Sequence, residues 1–126
     1  MGLPTSDGAV DAAEEQLGRR LPLALRERLL RNNGGDVLVL WEDDEGEEWQ
    51  LHPVWDETDR ETMRRSANHL VREQALARAW PGFPADAISI ATLDGDHLIL
   101  VPGEDEPKVW LHEAAEVEPV KVVWDP

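Results

Sequence analysis

The sequence predicts an α+β fold, a mostly antiparallel sheet of about six strands with two N-terminal helices and one long helix packed on it. Three observations predict it. Helical spacing gives way to a strand pattern across Asn33-Gly34-Gly35. A longer helical pattern then divides this first strand region from a later one. The later region is a series of short apolar runs separated by turn residues such as Asp94-Gly95.

Val10, Ala13 and Leu17 recur at helical spacing, with Asp7 as a candidate cap and Gly18 as the stop. Pro22 suits the first turn of a second helix, where its missing N–H is harmless. Leu21, Leu25, Leu29 and Leu30 form that helix's apolar stripe, and Arg26, Arg28 and Arg31 are expected to face water. Asn33 or Gly34 can take the left-handed conformation that ends it. "DVLVLW" reads as a strand apolar on both faces, interior to a sheet. "EDDEGE" is a turn with Gly46 near its tip. "EWQLH" alternates, with Trp49 and Leu51 inward and Gln50 and His52 outward. These pieces make a hairpin with an acidic tip.

In "DETDRETMRRSANHLVREQALARAW", Met63, Ala67, Leu70, Val71 and Ala75 predict one long amphipathic helix closed by Pro81. Strands are expected at Ile88–Thr92, His97–Val101, Lys108–His112 and Val117–Trp124. Pro119 marks an edge or a bulge in the last of them. No repeat, linker or low-complexity tract interrupts the chain, so residues 1–126 are expected to form a single domain.

At 126 residues and 41% hydrophobic, the chain can bury a modest core. The absence of cysteine removes disulfides, thiolate catalysis and thiolate-bound zinc from consideration. "MGLPTSDGAV" lacks the basic-then-apolar pattern of a secretory signal, and no apolar run is long enough to span a bilayer, so a cytoplasmic location is expected.

The formal net charge is -15, unfavourable for contact with nucleic acid or anionic membranes. The acids are segregated. Residues 36–59 carry ten acids and no Lys or Arg, and residues 86–126 carry ten acids against Lys108 and Lys121. Two readings are open: a solvated surface that serves solubility, or a face that meets a cation-rich partner.

Chemistry-bearing patterns are scarce. His52, His69, His97 and His112 stand in no metal-binding spacing. "GGDVL" lacks the Lys-Ser/Thr of a phosphate loop and leads into a strand. "LDGDH" is too short for a calcium loop and reads as a turn. No G-x-S-x-G nucleophile motif occurs. The expectation is no catalytic residue, no metal and no cofactor. Of six tryptophans, Trp49 is placed in the core and Trp55 is the candidate for exposure.

An amphipathic helix leading to Leu17-Gly18 and Leu21-Pro22, then a helix closing on Asn33-Gly34-Gly35 and a strand, resembles the SUKH superfamily of the Smi–Knr type. "EWQLHPV", the long helical pattern and "ISIATLDGDHLIL" follow that family's order, so the resemblance runs from about Val10 to Trp110. It implies a non-enzymatic binding protein. Most bacterial members are immunity proteins that bind and block a toxin of the same cell line, often a nuclease. Fungal relatives act as scaffolds, which leaves a regulatory adaptor as the alternative. The resemblance assigns no contact residues, since members bind through variable surfaces.

The expected contact surface therefore rests on charge. Glu42, Asp43, Asp44, Glu45, Glu47 and Glu48 crowd one turn, and Trp55, Asp56 and Glu57 follow. The turn needs only Gly46 and one or two polar residues, so the excess charge is expected to face a cognate basic toxin domain, with Trp55 as an apolar anchor. The oligomeric state is left open.

Overall fold

A computed structural model describes residues 3–43 and 45–124. Two helices come first, α1 (Asp7–Leu17) and α2 (Leu23–Arg31), followed by the hairpin of β1 (Asp36–Leu40) and β2 (Gly46–Leu51). Helices α3 (Arg60–Arg65) and α4 (Leu70–Arg78) precede β3 (Ile88–Leu93), β4 (Asp96–Leu100), β5 (Lys108–Leu111), β6 (Glu116–Pro119) and β7 (Lys121–Val123). The α+β class stands, with seven strands among the described residues where about six are expected.

All pairings are antiparallel, in the order β6-β5-β4-β3-β2-β1-β7. The expected last strand, Val117–Trp124, is two strands on opposite edges of the sheet. β6 pairs with β5 and β7 with β1, and only Val120 lies between them. Two residues of chain reach about 7 Å, so the edges must come together at that corner and the sheet curls almost into a barrel. Pro119 ends β6 because it has no N–H to continue the ladder.

One face of the curl holds the main core. Val37, Val39, Trp49, Leu51, Leu98 and Leu100 point inward from the strands, and Val10, Leu25 and Leu29 from α1 and α2 close over them. On the opposite face, Ala87, Ile99 and Trp110 form a smaller cluster with Phe83.

The α1 cap is the Ser6 side chain, which accepts from the Ala9 N–H, and Asp7 is the first helical residue. Asn32 ends α2 in an extended conformation, and the left-handed residues are Gly34 (φ 94°) and Gly35 (φ 73°). Asn33 has a different task. Its amide donates to the Val54 carbonyl at 2.9 Å and accepts from the Val54 N–H at 2.8 Å, tying the helix end to the chain beyond β2. A side chain on Gly34 would meet Pro53 Cβ at 3.4 Å. Gly46 opens β2 opposite Leu40 and is not at the tip; a Cβ there would lie 2.9 Å from both Leu38 and Leu40.

Three local expectations change. The long helical pattern is realised as α3 and α4, because the Leu70 N–H donates to the Pro53 carbonyl at 2.7 Å and not back along a helix. Asp59 and Thr62 form a capping box at the start of α3, and His69 Nδ1 caps α4. Arg28 is buried, 4% exposed, with its guanidinium donating to the Asn32 and Asp36 carbonyls. It closes the end of its own helix, and burial lowers its pKa. His52 is also buried, 3% exposed, because β2 ends at Leu51 and the strand alternation ends with it.

Candidate partner-binding surface

Antiparallel alternation decides which turns meet. The β1–β2 hairpin, the β3–β4 turn at Asp94-Gly95 and the β5–β6 turn at His112–Ala115 lie at one end of the sheet. That end carries the exposed acids Glu42, Asp43, Glu45, Glu47, Asp94 and Glu113, with Glu116 and Glu118 beginning and lining β6. Glu48 is exposed one residue further along β2. Asp44 lies outside the described residues.

Two hairpin acids have local duties. Asp43 Oδ1 accepts from the Glu45 N–H at 3.1 Å, which shapes the turn. Glu47 Oε1 accepts from the Trp41 indole at 2.7 Å and steadies a ring packed on the core edge. No hydrogen bond or ion pair among the described residues engages the side chains of Glu42, Glu45, Glu48, Asp94, Glu113 or Glu116. Asp94, Glu113 and Glu116 were not foreseen as part of this surface. The signal was present in the alternation of turns, but it needed the strand order.

The remaining expected contacts lie elsewhere. Trp55, 38% exposed, and Glu57 follow the C-terminal end of β2, so the length of that strand, about 17 Å, separates them from the hairpin turn. Trp55 therefore does not sit beside the hairpin tip. Its ring lies 5.4 Å from that of His69, beside a cleft of about 280 Å³ floored by Ala9, Ala13 and Val54. Asp56 is buried and belongs to the fold. It accepts from the Thr5 hydroxyl at 2.7 Å and from the Thr58 N–H and hydroxyl at 2.9 and 2.6 Å. Burial pushes its carboxyl up, but these bonds outweigh burial and hold it below the usual aspartate value.

One buried polar chain has the look of chemistry. Ser89 Oγ lies 2.7 Å from His97 Nδ1 and 3.2 Å from His52 Nε2. A hydroxyl beside an imidazole is a nucleophile–base arrangement. Here Ser89 is 0% exposed, and no substrate can touch its hydroxyl in this structure. The chain instead links the end of β2 to β3 and β4. Gln74 completes it, since its amide donates to the Ser89 carbonyl and accepts from the Ser89 N–H, both at 2.8 Å. The Gln74 amide thus stands in for a strand where β2 has left the sheet. Burial, with His97 nearby, pushes the His52 pKa down to about 4. Burial also lowers that of His97, against the Asp96 carboxylate, which is itself bonded to His112 at 2.8 Å.

Among the described residues, no group of three or more His, Asp or Glu side chains is placed to hold a metal ion. No helix among them is long and apolar enough to cross a membrane.

Comparison with known families gives one result. A model of the SMI1 / KNR4 family (SUKH-1) matches residues 4–126, a longer stretch than the motifs alone had covered. No curated protein and no solved structure matches.

Proposed function

The chain belongs to the SMI1 / KNR4 family (SUKH-1), whose members are commonly immunity proteins that bind partner proteins, and from that premise we propose that it neutralises a cognate toxin by direct binding. The family match over residues 4–126 carries this reading. The partner is a basic toxin domain, and a nuclease suits the charge best. Such an enzyme holds phosphates with Lys and Arg, and an acidic surface can occupy that same site. The contact surface is the acidic end of the sheet: Glu42, Asp43, Asp44, Glu45, Glu47 and Glu48, joined by Asp94, Glu113 and Glu116. Its support is that, among the described residues, the side chains of Glu42, Glu45, Glu48, Asp94, Glu113 and Glu116 make no hydrogen bond or ion pair. Inhibition needs no catalysis, metal or cofactor from this chain, and its place of action is the cytoplasm, where the toxin's target lies.

The test is co-expression with the product of the adjacent reading frame. Co-purification and rescue of cells from that product's C-terminal domain are expected. A chain that co-purifies with a host protein, and leaves the toxic domain active, would instead have the adaptor role found on the same fold.

A further inference from the structure

The two edges of the sheet differ. β6 is guarded, with Glu116 and Glu118 along it and Pro119 at its end. Charge, proline and shortness are the usual means by which an edge strand refuses a partner strand, and β7 has only its short length and a single charge at its first residue. β7 has Lys121 followed by Val122, Val123 and Trp124, and among the described residues it pairs only with β1. Beside it runs a cleft of about 640 Å³. Val120, Val122 and Trp124 line one wall, and Leu23 and Pro107 stand across from them, with Leu23 70% exposed. This cleft is the seam where the curled sheet fails to close.

We propose that the seam takes an extended, basic segment of a partner polypeptide, which pairs along β7 as an added strand. The free backbone edge asks for a strand, since only another main chain can meet a row of N–H and C=O groups in register. The paired part of β7 is three residues, about 10 Å, enough for a short segment. Among the described residues, Lys121 is the one cation lining the cleft, and the acids around it outnumber it, so the charges favour a cationic segment. Glu42, Asp43 and Glu118 gather around the corner end of the seam, beside Pro119 and Val120, and Glu106 lines its other wall. Asp105 is already paired with Arg19 at 3.2 Å. A strand with alternate apolar and basic residues would lay the apolar ones on Leu23, Pro107 and Trp124 and present the basic ones to these acids. This rests on the reading of the chain as a binding protein and adds where, and in what conformation, the partner is held.

The probe is a synthetic peptide, acetyl-Val-Lys-Val-Lys-Val-amide, with amide hydrogen exchange read by NMR on the full chain. Exchange on residues 121–124 should slow by about tenfold or more as the peptide saturates the seam, as expected for newly bonded amides. A twin peptide, N-methylated at alternate residues on the edge facing β7, should bind about tenfold more weakly, the worth of one or two hydrogen bonds. Glu106→Lys should weaken the parent peptide and leave the exchange of the core strands unchanged. Unaltered exchange on β7 at millimolar peptide overturns the proposal. Equal binding of the methylated twin also overturns it, because charge alone would then explain the contact. The assay uses no toxin. A seam that takes no strand in a chain that still rescues cells removes only this inference, and a seam that takes the strand in a chain that rescues nothing removes only the immunity reading.

Discussion

The helix side and the acidic end of the sheet use the same residue types in opposite ways. On the helix side, Arg26 meets Asp7, Asp11 and Glu14 at 2.8–3.0 Å. Bonds to Asp7 and Asp11 raise its pKa. Glu14 also accepts from the Leu21 N–H at 2.7 Å, so these charges join α1 to α2. At the sheet end, Glu42, Glu45 and Glu48 make no such contact among the described residues. The difference separates charges the fold consumes from charges it only tolerates, and net charge cannot tell one from the other. Polar groups with partners should control stability, and polar groups without them should control association.

The sharpest way to break that division is at Gln74. Replacing it with Leu keeps the bulk but leaves the Ser89 N–H and C=O without their partners. A loss of about 2–6 kcal/mol is expected in urea unfolding, from two buried groups at about 1–3 kcal/mol each. A loss below 1 kcal/mol would show that the buried chain through Ser89 contributes little.

The same chain sets the pH dependence. His52 is held neutral in the fold, near pKa 4 against an ordinary 6.5. A depressed histidine contributes nothing against its unfolded state above 6.5 and costs stability as pH falls from about 6.5 to about 4. The full cost is about 3 kcal/mol. Lowered values at His97 and His69 act in the same direction. A His52→Gln variant should lose much of that slope, as measured by denaturation at pH 7 and pH 4.5. An unchanged slope would place the acid sensitivity elsewhere.

Gly34→Val should cost about 1–3 kcal/mol, from a β-branched residue forced to positive φ with Pro53 close by. Partner affinity should survive in whatever fraction remains folded.

The smallest expected change in stability is at the acidic end. Glu42, Glu45 and Glu48 changed together to Lys should shift unfolding by no more than about 0.5 kcal/mol, as for surface sites without partners. Association with a basic partner should nevertheless slow by about tenfold or more at low salt, and by less at high salt. A partner affinity within about twofold of the parent would mean the acids serve solubility alone. Asp43 and Glu47 are poorer choices for this test, since each also makes a bond within the hairpin.

Much of this was legible locally. The change of period at Asn33-Gly34-Gly35 and the inward Trp49 and Leu51 follow from spacing, and the exposed Trp55 from the polar stretch it stands in. What spacing missed was decided by distant partners. Arg28 sits on a helix position that reads as solvent-facing, but the chain reversal after Asn32 brings the Asp36 carbonyl to it. His52 continues an alternation whose strand has already ended. The helix expected through Ser66–His69 is broken by a carbonyl at Pro53. The acidic end was half visible: the hairpin showed as a charge run, while Asp94, Glu113 and Glu116 joined it only through strand order.

The corner at Val120 has a kinetic consequence. β7 pairs Lys121 with Leu40 and Val123 with Leu38, contacts that span most of the chain. The loop-closure entropy of that pairing must be met before its bonds form, and antiparallel folds with many distant contacts reach the native state in about milliseconds to seconds. Until residues 121–123 arrive, the outer edge of β1 is an open strand bearing Leu38 and Leu40. During synthesis, the nascent chain passes through a stage in which β1 is already made and its last neighbour is still inside the ribosome. At that stage the molecule is most exposed to pairing with the wrong strand.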